Sequence, residues 1–138
     1  VKNGLAAADA EGLIGVHDGV RPFVSPAVVE AAYRAAEEYG EAVPALPVAD
    51  SLRLLQPDGS SRPVDRSLMR RVQTPQVFRA DWLRAAYGQA YREEFTDDAS
   101  VVEAAGHSVA LVGGNPENIK LTTPWDLQVA EMLCRADV

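Results

Sequence analysis

Leu13-Ile14-Gly15-Val16-His17-Asp18-Gly19-Val20-Arg21-Pro22 is the stretch on which the fold turns. Its first four residues are a short apolar run, bounded by glycine, that reads as a buried parallel strand. An acid, a permanent cation and a proline then crowd the strand's carboxyl end. In open α/β sheets that edge is where ligands bind. Asp18 can hold a metal or a hydroxyl, and Arg21 can grip a phosphate with two prongs, as lysine cannot. The plainer reading of the same residues is a capped turn with a surface ion pair.

Working outward, Ser25-Pro26 is a helix start, because serine caps free amides and proline suits the first turn. The helix runs to about Tyr39 with a stripe of Val28, Val29, Ala32, Ala35 and Ala36, and Gly40 ends it. Residues 41–48 read as a strand, and Pro44 and Pro47 make it an edge strand or an irregular one. Residues 49–72 read as a hairpin-like excursion, turned at Gln56-Pro57-Asp58-Gly59, with too few apolar residues for a core of its own. An arm of that kind packs on a partner or on the main body.

Further along, Asp81–Glu93 reads as a helix. A second helix starts at Thr96 or Asp97 and ends at Gly106. Ser108–Val112 and Asn118–Leu121 read as strands. Thr123-Pro124 with Asp126 opens a last helix that carries Leu127, Val129, Ala130, Met132 and Leu133. The alternation gives an α/β sheet with helices on both faces. Upstream, Gly4–Ala8 reads as the tail of a helix already under way.

Composition narrows the function. The 138 residues make about one domain. The apolar fraction of 47% supports a core, and the net charge of −7 opposes non-specific nucleic-acid binding. No stretch approaches the roughly 18 apolar residues of a membrane-spanning helix. The single cysteine, Cys134, excludes a disulfide framework and points to the cytoplasm.

Polar groups gather at predicted strand ends and the loops after them: Asp18, Arg21, Asp50, Ser51, Arg66, Thr74, Thr96, Asp97 and Lys120. No serine or cysteine has an obvious histidine partner. His17 reads as a hydrogen-bonded structural residue and His107 as an exposed one. No His/Cys spacing suits zinc. The set fits a phosphorylated polyol, with cations for phosphate and hydroxyls and carboxylates for alcohols. Phosphoryl-transfer chemistry needs only positioning and charge neutralisation of this kind.

Six motifs then occur in order along nearly the whole chain. They are His17–Pro22, Pro47-Val48-Ala49-Asp50-Ser51, Val64-Asp65-Arg66, Gln73–Phe78, Thr96-Asp97-Asp98-Ala99-Ser100 and Asn118–Thr122. Together they resemble the 2-C-methyl-D-erythritol 4-phosphate cytidylyltransferases of bacterial isoprenoid synthesis. The resemblance implies a Rossmann-like nucleotidyltransferase sheet, here incomplete, with a protruding β-arm. It implies transfer of CMP from CTP to the sugar-alcohol phosphate, release of pyrophosphate, and Mg²⁺ with Asp18 as a ligand. It assigns Asp18, Arg21, Ser51, Arg66, Thr74, Thr96 and Lys120 to the substrate, with Lys120 and Arg66 offsetting phosphate charge. Ser51 stands where the family commonly has threonine.

The arm of residues 47–72 is implied to embrace a second subunit, making a homodimer with Arg66 in the neighbour's site. The family's glycine-rich CTP-cradling loop has no counterpart here. The chain therefore resembles the C-terminal part of the enzyme, and by itself is expected not to bind CTP productively. A cytidylyltransferase for ribitol 5-phosphate, and a non-catalytic dimerisation module, are the rival readings.

Overall fold

The computed structural model describes residues 1–9 and 11–136. The elements are α1 (Lys2–Ala7), β1 (Leu13–Val16), α2 (Pro26–Tyr39), β2 (Glu41–Pro47), β3 (Leu52–Leu55), β4 (Ser61–Val64), a 3-10 turn (Arg66–Leu68), β5 (Arg70–Val72), β6 (Gln76–Arg79), α3 (Ala80–Ala86), α4 (Asp98–Ala104), β7 (Ala110–Gly113) and α5 (Pro124–Ala136). Five strands form the main sheet, and β3 and β4 form a separate two-stranded one.

Helix α2 forms where its punctuation places it. Ser25 Oγ accepts a hydrogen bond from the Val28 amide at 3.3 Å, and Pro26 occupies the first turn. Gly40 closes the helix at φ 89°, a left-handed backbone that glycine adopts without steric cost. A side chain is excluded there for a second reason. A Cβ on Gly40 would lie 2.3 Å from the Trp82 ring.

Successive residues of a strand point to opposite faces, and two cores follow. Ala42 and Val77 pack on Ala32 and Ala36 of α2. Val43 and Phe78 point the other way, onto Leu83 and Ala86 of α3 and Ala99, Val101 and Val102 of α4. The sheet is thus covered by helices on both faces. Burying one such large side chain stabilises the fold by about 1.5–3 kcal/mol.

Several expectations are corrected. β1 is not a buried parallel strand. It pairs antiparallel with β6, and its residues are half-buried. β2 is not at an edge: β7 pairs with it in parallel on one flank, and β6 then β5 pair antiparallel on the other. Pro44 is accommodated where β2 changes partner, between Ala42 opposite β6 and Ala45 opposite β5. Its carbonyl accepts from the Gln73 amide at 2.8 Å, and only the reciprocal bond, which an N–H at 44 would donate to Gln73, is given up. Helix α3 stops at Ala86, ahead of a turn at Gly88. Residues 118–121 are a loop, and β7 begins at Ala110.

The excursion is a hairpin spanning residues 52–64, almost wholly exposed. Residues 70–72 already belong to the main sheet as β5. On α5, Ala130 is buried while Leu127 and Met132 are exposed.

Candidate active site

Strand directions set the site. β1, β2 and β7 run the same way, so their carboxyl ends share one rim, and the segment entering β6 starts from that rim. Three loops converge there: 17–22 after β1, 73–75 before β6, and 114–121 after β7. The Leu121 amide donates to the Val20 carbonyl at 2.9 Å and ties the first loop to the third.

Amide side chains fasten the rest. Gln73 Nε2 donates to the carbonyls of Asn115 and Asn118, at 3.0 and 3.3 Å. Asn118 Nδ2 donates to the Thr74 carbonyl at 2.9 Å. Asn115 Oδ1 accepts from the Ser25 amide, and its Nδ2 donates to the Phe23 carbonyl at 2.9 Å. A Cβ on Gly114 would run into the Gln73 amide, so a side chain there would have to displace the Gln73 carboxamide that fastens the loops. The Thr74–Pro75 peptide bond is cis.

On this frame stands a charged cluster. Arg21 Nε donates to Asp18 Oδ2 at 3.0 Å, and Arg21 Nη1 donates to the Asn118 carbonyl at 2.8 Å. Lys120 Nζ lies 3.3 Å from the same Asp18 oxygen. Burial alone would raise the Asp18 carboxyl. Hydrogen bonds from Arg21 and Lys120 outweigh it and hold the group below its ordinary value. The side chains of Lys120 and Asp18 are 49% and 31% exposed. An ammonium has three donors, and only one is spent on Asp18. The arrangement can therefore receive a phosphate and present a carboxylate to alcohol groups.

Thr74 joins the cluster from below: its hydroxyl accepts from the Asp18 amide at 3.0 Å. The structure thus brings Asp18, Arg21, Thr74 and Lys120 together.

Two expected site residues lie elsewhere, and a third is beside the cluster with no bond to it among the described residues. Ser51 and Arg66 line a pocket at the base of the arm with Leu52, Arg53, Pro63, Val64 and Asp65. Arg66 there donates to the Ala49 carbonyl. Thr96 lines a cleft of about 370 Å³ with Tyr87, Asp97 and Asp98, on the cluster's side of the sheet, where the Asp98 carboxyl feels the charge of Asp18. Asp97 is committed to structure. It caps α4 reciprocally with Ser100 and accepts from Gln76 Nε2 at 3.0 Å. Burial raises the neighbouring Asp98 carboxyl, against the Tyr87 hydroxyl that donates to it.

Asp18 does not fit the expected metal role. Two cations share its Oδ2, and no group of three or more His, Cys, Asp or Glu side chains among the described residues could hold a metal. His107 is not fully exposed either. Its ring stacks on Trp82 at 3.7 Å.

Residues 1–136 match the family model for 2-C-methyl-D-erythritol 4-phosphate cytidylyltransferase. The chain belongs to that family. The cytidylyltransferase of that name from Phocaeicola vulgatus is 55% identical over 133 residues, which are 96% of this chain and 60% of the relative. The crystal structure of the Thermus thermophilus enzyme of the same name matches with a TM-score of 0.82 at 42% identity, covering 95% of this chain and 65% of that one. The 4-diphosphocytidyl-2C-methyl-D-erythritol synthase of Anaerococcus prevotii gives 0.86 at 28% identity, covering 96% and 64%. The chain spans about 60% of the length of the curated relatives it matches.

The supporting amides Gln73, Asn115 and Asn118 were legible only as letters of motifs or turns. What could have revealed them is their type and place: amides beside glycine and proline in loops that must pack together need side-chain partners for their backbone groups.

Proposed function

We propose that the protein transfers CMP from CTP to 2-C-methyl-D-erythritol 4-phosphate with release of pyrophosphate. The observation that carries this reading is the meeting of Asp18, Arg21, Thr74 and Lys120 at one rim in a chain of this family. A substrate phosphate oxygen attacks the α-phosphorus of CTP, a P–O bond forms, and the bond to the bridging oxygen of pyrophosphate breaks. Such a reaction is served by positioning and charge neutralisation. Lys120 offsets charge on the phosphates, and Asp18 with Thr74 receives the polyol. No step is assigned to Mg²⁺ here. Both substrates are charged and held inside the cell, so we take the reaction to be cytoplasmic.

Given CTP, a protein of its relatives' full length that contains this chain should release pyrophosphate with 2-C-methyl-D-erythritol 4-phosphate and at most traces with ribitol 5-phosphate. Release with neither, or preferentially with ribitol 5-phosphate, overturns the proposal.

The site is completed by a second copy. Ser51 and Arg66 stand apart from the rim cluster, on an arm that exposes Leu54, Leu55, Leu68 and Met69. In a symmetric dimer each arm delivers Arg66 to the other subunit's rim. Mixing then separates the two roles. Arg66→Ala and Lys120→Ala should each be nearly inactive. Co-refolded in equal amounts they should recover about a quarter of wild-type activity, because half the dimers are mixed and each mixed dimer holds one intact site. Absence of recovery would place Arg66 in its own subunit's site or outside both.

A further inference from the structure

The hydrogen bonds around His17 determine what Thr74 can offer a ligand, and this deepens the reading of the site just given. His17 Nε2 lies 2.9 Å from the Arg21 carbonyl oxygen, which can only accept. Nε2 therefore carries a hydrogen. In the neutral imidazole the other nitrogen, Nδ1, is then a bare acceptor. Nδ1 lies 2.9 Å from Thr74 Oγ1, so the Thr74 hydroxyl donates its only proton to His17. The same oxygen accepts from the Asp18 amide at 3.0 Å. A hydroxyl has one donor and two lone pairs. The donor and one lone pair are used, and one lone pair is left.

We propose that His17 is a positioning residue that makes Thr74 a pure acceptor toward the site. Thr74 then takes a hydroxyl of the polyol and has nothing to give a phosphate oxygen, which falls to Lys120 and Arg21. The division separates the two ends of the substrate by hydrogen-bond polarity. Without His17 the Thr74 proton is free to turn outward, the hydroxyl serves either end, and discrimination is lost.

Two measurements test this. Nitrogen NMR of the intact protein labelled at histidine should show the neutral ring of His17 with Nε2 protonated and Nδ1 bare. An Nδ1-protonated ring would reverse the direction of the Thr74 hydroxyl and end the proposal. This measurement needs no substrate, so it stands even if the proposed activity fails. In the second, His17→Ala should weaken binding of 2-C-methyl-D-erythritol 4-phosphate about 2–10-fold, the worth of one hydrogen bond. Binding of inorganic phosphate, measured in parallel, should be unchanged. His17→Asn, which can present an acceptor near the position of Nδ1, should recover part of the loss. Equal weakening of both ligands, or no recovery with asparagine when both variants fold, would make His17 merely structural.

Discussion

Lys120→Ala should lower the rate of CMP transfer by about 10²–10³-fold, the usual cost of deleting one pre-organised charge-stabilising donor. The loss should fall on the rate and not on the fold, and the structure says why. Half of the side chain is in solvent, so its removal opens no cavity. The loop that carries it is held without it, by the Leu121 amide on Val20 and by the Asn118 side chain on Thr74. Asp18 keeps Arg21 as a partner, so no carboxylate is stranded. What disappears is a cation that spends one donor on Asp18 among the described residues, beside the place we propose for the phosphates. Lys120→Arg keeps the charge in a different shape and should restore only part of the rate. Steady-state kinetics beside thermal unfolding checks both halves. A rate within about threefold of wild type would remove Lys120 from the chemistry.

The parts of this fold legible in the sequence are those set by local chemistry. Ser25-Pro26 and Gly40 bound α2 as read, because capping and a left-handed close are decided within one turn. Asp97 caps α4 and Thr123 with Asp126 opens α5 for the same reason. The hairpin at 52–64 was visible because its turn has its own mechanism and its apolar residues are too few for a core of its own.

Apart from the early end of α3 before Gly88, the misreadings are non-local. The run Leu13–Val16 shows that a strand exists but not which strand lies beside it, and β6 arrives from some 60 residues away. Pro44 argues for an edge, but where β2 passes from β6 to β5 the sheet forgoes a single bond to Gln73 and keeps the strand inside. Asn118–Leu121 has strand-like composition, but its backbone groups are spent on the 17–22 loop and on the Gln73 and Arg21 side chains. The candidate site divides on the same line. Asp18 and Arg21 are near neighbours in sequence and their pairing was readable. The separation of Arg66 from its own rim was implied by the resemblance alone, and that of Ser51 was not readable, since both depend on where the arm leaves the sheet.

Glu41 was read only as a strand residue, and it should make the protein lose stability as the solution becomes alkaline. It opens β2 opposite Phe78 and shares the face of Val43, where it is 0% exposed. Among the described residues neither carboxylate oxygen has a hydrogen-bond partner. Burial, then the nearby charges of Glu103 and Asp97, push its pKa up to about 8 from an ordinary 4.5. The sign follows from proton counting. Below the ordinary value both folded and unfolded chains hold the proton, and Glu41 costs nothing as a charge. Between the two values the folded chain keeps the proton while the unfolded chain has released it. Stability therefore falls by about 1.4 kcal/mol per pH unit across that window and levels off above it. The total, several kcal/mol as an upper figure, is a large share of the 5–15 kcal/mol typical of a domain. Carboxyls held low, such as Asp18 and Asp126, act oppositely and lose their contribution on acidification, so the two effects must be separated. Glu41→Gln separates them, because it keeps the shape and cannot ionise. Urea unfolding of both proteins from pH 4.5 to pH 9 should give curves that converge at the acid end and diverge steadily toward pH 8, with the glutamine variant more stable. Curves that run parallel across the range would mean that Glu41 is solvated or paired in the folded protein, and the account of a neutral acid under the sheet would be wrong.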